Sequence, residues 1–552
     1  MMEDATDIIR DQGRMETDRS NFERQWQDVA EHVLPRQADF PMGGFSLTQG
    51  MKRTDRIYDE TAMLSLDHGC AVFESYTMPR GARWQSLAPL DDKLLDNRRV
   101  RAWFELKTSQ LFALRAAPMS GFAEQTHESV ASLLAFGNQA ITPELFRDNR
   151  GRITGMYYRS EHIGQLYVRE NAYGRVDTTH RKFCLTARQA EQKWGADAPE
   201  CVQRSIRDRK PDDRHEYLHV LRPRHDFDPN RADAKGKRVA SLYVSIGDKV
   251  IFDQGGYRTM PTIYSRYEKS PTETYGRGPV MNVMPAIRAT QEMMKDLVTA
   301  VELLAKPPLL ATDDMLDQVI RYFAGGITYG GLDFDKNPTI KALIDGMDIG
   351  PAMSLLEQSR AVIKRALWED LFQVRMEQKT HVSATDILER ASEKGVLLAP
   401  LGRQETEWFD PMADREIDLM WEMGLLDDMP PEVREAGGVY QMTYDNPLRR
   451  AQMADQAAGF YRTLEGVTPL MQLKPELADV FLTRYPFDKV LAGLGRINAV
   501  PAAWESDDDE RGASQEKIAA DEQAQKLLEA APVVSKVATD LARLNGGAGV
   551  AA

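Results

Sequence analysis

Hydrophobic positions recur at three- and four-residue steps from 4 to 34 (Ile8, Ile9, Phe22, Trp26, Val29, Ala30, Val33), which predicts one long amphipathic helix. Pro35 ends it. Residues 36–51, with Pro41, Gly43, Gly44 and Gly50, read as a loop or arm. A second helix is predicted from about Asp55 to Met78, stopped by Pro79, and two more near 95–117 and 120–136, the last ending at Gly137. From 138 to about 270 the period changes. Short β-branched and aromatic runs (ITPELF, ITGMYYR, GQLYVRE, YLHVLR, VASLYVSI, KVIFDQ) alternate with Gly, Asn, Asp and Pro, a strand-and-turn pattern. TARQAEQKWG at 186–195 reads as one helix inside it.

Helical period returns after Gly276. Val280, Met284, Ile287, Met294, Leu297, Val301 and Leu304 form one stripe that Pro307 and Pro308 end. A turn-rich insertion follows at 309–350. A second amphipathic helix is expected from near Ser354, whose spacing to Glu357 resembles a capping box, with Leu355, Val362, Ile363, Leu367 and Leu371 as its apolar face. The polar run QVRMEQKTHVS at 373–383 interrupts the pattern. A long helical stretch from Thr385 to about Leu426 follows, which Gly395, Pro400, Gly402 and Pro411 should break or kink. Residues 447–500 read as helical pieces, SDDDER at 506–511 as a solvated linker, and 514–544 as Ala-rich helix with a frayed tail. The fold class is α+β, mostly helical.

The 552 residues suggest several domain-sized units, and 42% hydrophobic content rules out wholesale disorder. The net charge of −14 hides a segregation. Residues 138–270 hold 25 Lys and Arg against 18 Asp and Glu, a net +7, so the remainder carries −21. That acidity argues against a surface that grips DNA all over. No run approaches the ~20 apolar residues of a membrane helix, and the acidic start lacks the layout of a signal peptide. Cys70, Cys184 and Cys201 are too scattered for a disulfide framework or a zinc site. Cys184 and Cys201 could pair, but isolated thiols are the expectation.

One pattern mimics an enzyme. His215-Glu216-Tyr217-Leu218-His219 fits H-E-x-x-H, and His225 falls where a third zinc ligand would stand. That chemistry needs a helix that sets both histidines on one face. Pro211 and Pro223 flank the run, and Arg222 stands where the extended motif needs Gly, so a strand is expected, with Tyr217, His219 and Leu221 facing one way and Leu218 and Val220 the other. No phosphate-binding loop or nucleophile elbow is present, and Asp507–Glu510 reads as linker rather than a magnesium cluster. No catalytic residue, metal or cofactor is expected. What remains is two amphipathic helices around a compact insertion, with too little core of their own unless neighbours supply it: a bundle or ring of subunits on one reading, ordinary helical-hairpin packing in a monomer on the other, with a further helical capsid-assembly protein as the alternative function.

FERQWQDVAEHVLPRQADF (22–40), RIYDETAMLSLD (56–67), YTMPRGARWQSLAP (76–89), FGNQAI (136–141), YLHVLRPR (217–224), YGRGPVMNVMPAI (275–287), AKPPLLATDD (305–314) and TYDNPLRRAQ (443–452) occur in an order and spacing that resembles the portal, or head-to-tail connector, proteins of short-tailed bacteriophages. Departures are small: Glu60 stands where a Ser is common, and Gln85 where an aromatic would follow Trp84. The resemblance implies a ring, usually of twelve subunits, around a DNA channel at one capsid vertex of the virion, assembled in the host cytoplasm. Residues 1–278 would form the wing (helical to 137, β-rich over 138–270) and 279–305 and 351–372 the stem. Residues 306–350 would be the clip, 373–383 the tunnel loop, 384–446 a kinked wing helix with its return, and 447–552 a crown. Implied partners are duplex DNA, bound without sequence preference, the terminase large subunit, tail adaptor or nozzle proteins, major capsid protein and scaffold, and internal core or ejection proteins, with no membrane. The tunnel-loop residues facing DNA would be Arg375, Met376, Glu377, Gln378, Lys379, Thr380 and His381, with Arg375 and Lys379 the main phosphate contacts and His381 a weaker one. The basic wing region would face capsid protein or scaffold.

Overall fold

The structure is a computed structural model. It describes residues 4–40, 53–91 except 56, 93–94, 97–147, 150–311, 331–343 except 336, 348–369 and 402–444, with single positions at 50, 321 and 327 and short pieces between 459 and 504. The chain divides into two compact units, one of residues 1–84, 110–427 and 444–451, the other of 85–109, 428–443 and 452–552.

The larger unit begins with α1 (Ala5–Val33). Asp4 caps it by accepting Thr6 N–H at 3.2 Å, and Pro35, which cannot donate, follows its end. Arg19 is fully buried midway along α1. Its guanidinium donates to the carbonyls of Ile163 (3.1 Å), Gly164 (2.8 Å) and Leu166 (2.5 Å) and pairs with Glu23. Helix α2 (Thr61–Thr77) starts about a turn and a half later than its periodicity suggests, because Asp59 accepts Thr61 N–H (2.9 Å) just ahead of it. After α3 (Arg98–Ala116), whose first half belongs to the smaller unit, α4 (Phe122–Phe136) leads into the strands.

The strand region forms two antiparallel sheets. One has the order β3 (Ile153–Ser160), β2 (Asn138–Arg147), β9 (Ile263–Arg266). The other runs β4 (Leu166–Glu170), β5 (Val176–Thr186), β6 (Arg214–Pro223), β7 (Val239–Ser245), β8 (Val250–Tyr257). One face of the five-stranded sheet packs Leu218, Val220, Leu242 and Val244 against Ala5 and Ile8 of α1. The other packs Phe183 and Tyr217 against α5 (Ala187–Trp194) and α6 (Glu200–Arg207). Helix α5 opens on a complete capping box, Thr186 with Gln189. Strand β5 and helix α6 were not anticipated. All three cysteines are free. Cys184 pairs across β5–β6 with Glu216, a register that alternates with Phe183–Tyr217, so Cys184 faces away from the side on which Cys201 and α6 pack.

Short α7 (Pro279–Asn282) and long α8 (Met284–Ala305) carry the first amphipathic stripe. Strands β10 (Leu309–Ala311) and β11 (Ile340–Ala342) pair antiparallel beyond it, and α9 (Gly350–Ala366) returns along α8. Helix α9 starts before Ser354, which is interior to it. Asp348 accepts Gly350 N–H (2.8 Å), Pro351 sits in the first turn, and this helix closes at Ala366, while residues 370–372 of the expected span lie outside the described residues. In the described part of the later helical stretch, Gly402–Gln404 leads into a π-helical turn, Glu405–Phe409, and then α10 (Asp410–Glu422). The expected irregularity therefore falls just before Pro411, whose missing N–H an α-helical ladder could not use. The smaller unit pairs β1 (Gln85–Pro89) with β12 (Tyr440–Tyr444), where Gln441 donates to Pro89 O (3.1 Å), and Lys107 reaches Asp428 at 2.6 Å.

Candidate functional site: the anchored helix pair

Three contacts fix the base of the α8–α9 pair. In the first, two chain segments cross at backbone distance. Gly137 ends α4 in the left-handed region (φ +74°), and a Cβ there would lie 2.3 Å from Arg277 C and 2.4 Å from Gly278 N. Cβ atoms at Gly276 and Gly278 would lie 2.4 Å from Gly137 O and 2.5 Å from Leu134 O. Only glycines allow this approach. Asn138, fully buried, uses its whole amide there: Oδ1 accepts from Gly276 N–H (2.7 Å) and Tyr264 O–H (2.9 Å), and Nδ2 donates to Phe136 O (2.8 Å) and Gly276 O (3.0 Å). Beside it, buried Arg266 donates to Glu407, Glu170, Thr274 O and Gly174 O. Burial alone would lower its pKa, but the two carboxylates outweigh that and raise it.

The second anchor is Asp59, in the Tyr-Asp-x-Thr-Ala segment. Gln291 of α8 accepts from the N–H groups of Tyr58 (2.7 Å) and Asp59 (3.0 Å) and donates to Asp59 O (2.7 Å). Arg360 of α9 places Nε and Nη2 on Asp59 Oδ2 at 2.8 and 2.6 Å. One buried carboxylate thus accepts the first N–H of α2 and holds α9. Burial raises its pKa, yet the hydrogen bonds from Thr61 and Arg360 dominate and keep it below the ordinary value. The third anchor ends α9. Leu367 packs its backbone against Gly69, and Trp368 is buried near Tyr267 although its φ is +61°. Glu369 meets Lys364 (3.5 Å) and Ser65 (3.3 Å).

Beyond these anchors the helices lose their cover. Val280, Met284 and Ile287 are buried as predicted, while Met294, Leu297 and Leu304 are half-buried and Val301 is exposed. The predicted face of α9 splits in two. Ile363 and Leu367 are buried, with Leu356, which the pattern does not single out, beside them, whereas Leu355 and Val362 are 54% and 52% exposed; Leu371 lies outside the described residues. Val298 and Met353 are exposed with them, at 41% and 42%. An apolar side chain left in water forfeits ~1.5–3 kcal/mol of burial.

The expected tunnel-loop residues Arg375, Met376, Glu377, Gln378, Lys379, Thr380 and His381 lie outside the described residues, as does nearly all of 447–552. The H-E-x-x-H run is strand β6, with Tyr217 and Leu218 on opposite faces. Its histidines take separate partners. His215 Nε2 meets Ser205 Oγ at 3.0 Å, and His219 Nε2 meets Ser241 Oγ at 2.9 Å while its ring stacks on Tyr243 at 4.0 Å. Burial, then the neighbouring Lys193, Arg181 and Arg159, push His219 well below its ordinary pKa. Among the described residues no three His, Cys, Asp or Glu are placed to hold a metal.

A helix pair anchored by shared polar residues and left apolar at its far end suits assembly rather than catalysis. The sequence profile of the bacteriophage head to tail connecting proteins matches residues 5–499. The chain belongs to that family. The connector is also similar to the probable portal protein of Bordetella phage BPP-1, 24% identical over 477 residues that cover 85% of this chain and 83% of the relative. It is likewise 24% identical over 492 residues to the portal protein of Salmonella phage epsilon15, covering 86% and 84%. The connector is therefore a structural component of the virion at the head–tail junction, not an enzyme. Among the described residues no helix is long and apolar enough to cross a membrane. Asn138, Gln291 and Arg360 went unnoticed in the sequence, since polar anchors have no period. The one signal was that Asn138, Asp59 and Gly276–Gly278 sit inside the segments that carry the family resemblance.

Proposed function

We propose that the connector assembles as a ring, of about twelve copies as the family resemblance implies, and conducts duplex DNA through its centre. The observation that carries this reading is the uncovered apolar surface on both helices of the pair. Val298 and Val301 on α8 and Met353, Leu355 and Val362 on α9 are exposed in the isolated chain. A head-to-tail contact, α8 of one copy against α9 of the next, covers both and closes on rotation. In this reading residues 279–305 and 351–372 are the stem, 306–350 the clip that docks the packaging terminase and then the tail adaptor, and 1–278 the wing against capsid protein and scaffold. Residues 373–383 are the tunnel loop, 384–446 a kinked wing helix, and 447–552 the crown towards internal proteins. A net-acidic conduit repels phosphate and keeps DNA centred, because each phosphate paired with a fixed cation adds affinity and so resists sliding. Arg375 and Lys379, and more weakly His381, supply brief contacts at the constriction. Val301→Glu together with Val362→Glu tests the assembly: rings should fall to monomers whose circular dichroism matches the wild type. Rings that persist in this double variant would remove the support the helix pair gives.

A further inference from the structure

Past the end of α1 the chain turns at Pro35–Gln37 and reaches Phe40. Several contacts hold this segment down. Gln27 of α1 donates to Ala38 O (3.2 Å) and accepts Phe40 N–H (3.2 Å), and Arg53 grips Asp39 at 2.8 and 3.1 Å. Phe40 is 1% exposed, with its ring against those of Trp26 (5.7 Å) and Phe136 (5.0 Å). His162, in the connection from β3 to β4, closes the other side, with its ring 5.0 Å from that of Phe40.

Both ring nitrogens of His162 are engaged, in a way that one protonation state alone allows. Nδ1 lies 3.0 Å from Gly164 N, a donor, so Nδ1 accepts and carries no hydrogen. Nε2 lies 3.3 Å from Gln37 O, an acceptor, so Nε2 carries the hydrogen and donates. A second proton would go on Nδ1, directly against Gly164 N–H. The backbone cannot turn that N–H aside, because the buried Arg19 guanidinium holds the carbonyls of Ile163, Gly164 and Leu166 around it. A protonated ring must therefore leave its seat. In leaving, it gives up Gln37 O and uncovers one side of Phe40.

The surrounding charges do not rescue an imidazolium. From α1, Arg19 repels it and is itself paired with Glu23. From the turn, Asp39 attracts it, but Arg53 already holds that carboxylate. Glu161, next to it in the chain, is taken by Arg159 (2.7 Å) and Arg181 (2.9 Å). Burial outweighs the help of Gln37 O and Asp39, and it sets the pKa of His162 below the ordinary 6.5. We propose that His162 is an acid-sensitive latch: its neutral ring pins Pro35–Phe40 to the β3–β4 connection, and proton uptake releases that segment while the rest of the larger unit stays folded. Above pH 6.5 the seated and the freed ring are both neutral, and the latch is fully closed. Below it the freed ring binds its proton first, so opening becomes easier by up to about tenfold per pH unit until the seated ring also titrates. The latch lies within one chain and is independent of how the chain assembles.

The test is hydrogen exchange, read by mass spectrometry on the full-length protein from about pH 7.5 to 5, above the range in which carboxylates such as Asp39 take up protons. After division by the intrinsic rate at each pH, opening of peptides over residues 35–40 should rise several-fold between pH 6.5 and 5. Amides of β6 and β7 should exchange far more slowly throughout. His162→Asn keeps an acceptor for Gly164 N–H but takes no proton, so the rise should vanish. His162→Gln, which takes no proton either, should lose it too, and one of the two suffices if the other does not fold. His180→Asn should keep the rise, which separates the latch from acid loosening of α1. A flat wild-type profile, a rise that persists in the His162 variants, or one that disappears in His180→Asn would overturn the proposal. So would exchange in β6 and β7 at the rate of residues 35–40, since that is global unfolding.

Discussion

Replacing Gly137 with Ala tests whether the glycine crossing holds α8 to the strand region. The new Cβ would sit 2.3 Å from Arg277 C, where real contacts stay beyond 3.0 Å, so the two backbones must part by about 0.7 Å. The φ of +74° adds about 1–2 kcal/mol for a residue with a Cβ. Overpacking against backbone, which cannot rotate away as a side chain can, adds about 1–3 kcal/mol. Together ~2–5 kcal/mol, against an unfolding entropy of about 2.1 cal/mol/K per residue over roughly 400 residues, should lower the melting temperature of the larger unit by roughly 2–6 °C. Scanning calorimetry reads this directly. Gly13→Ala is the control, because nothing lies within 4 Å of its Cβ and α1 favours Ala there. Hydrogen exchange should also rise at Gly276–Asn282. A Gly137→Ala protein that melts with the Gly13→Ala control would refute the reasoning, since neither the close approach nor the left-handed backbone would then matter.

Asp59→Asn keeps an acceptor for Thr61 N–H but removes the charge that Arg360 holds. It should destabilise by ~1.5–3 kcal/mol and speed exchange in α9, and unchanged exchange would dissociate Asp59 from the helix pair. The contribution of Asp59 is present above the ordinary carboxylate pKa of 3.8 and lost as pH falls through its lower folded value, so acid should erase the difference between the two proteins. Burial holds His180, whose Nδ1 meets Gln12 Oε1 at 3.1 Å, down at about 4 against an ordinary 6.5. The unfolded chain therefore binds its proton first, and stability should drop by ~3 kcal/mol between pH 6.5 and 4. His180→Asn should flatten melting temperature over that range, in part only, because His162 and His219 are shifted the same way; an unaltered slope would exclude His180 as a source. Arg375→Ala with Lys379→Ala should leave rings intact but reduce genome packaging or retention, counted as filled heads, and normal phage yield would remove these two residues from the DNA path.

Where side chains alternate or repeat with the backbone period, the fold was legible. Strand β6 is the clearest case, because Leu218 and Val220 face α1 while Tyr217 faces α5 and α6, and that alternation outweighed the zinc pattern. Strand β5 was hidden because its residues are polar. His180 is buried on Gln12, and the half-buried Arg181 and Lys182 pair with Glu161 and Glu16, partners more than fifteen residues away that no local pattern reveals. The face of α9 reads as one stripe because Leu355 and Val362 are as apolar as Ile363 and Leu367. Only the packing shows that the two pairs serve different surfaces. The anchors were out of reach for a similar reason. Gly137 gains its meaning from Gly276 and Gly278, and Asp59 from Gln291 and Arg360, across more than a hundred residues of chain.

The central claim is that this connector closes into a ring through its helix pair, and negative-stain microscopy of the purified full-length protein tests it most directly. Rings with a central hole, at a mass about twelvefold that of the 62.3 kDa chain, are the predicted result. Monodisperse single subunits across salt and protein concentration would contradict it.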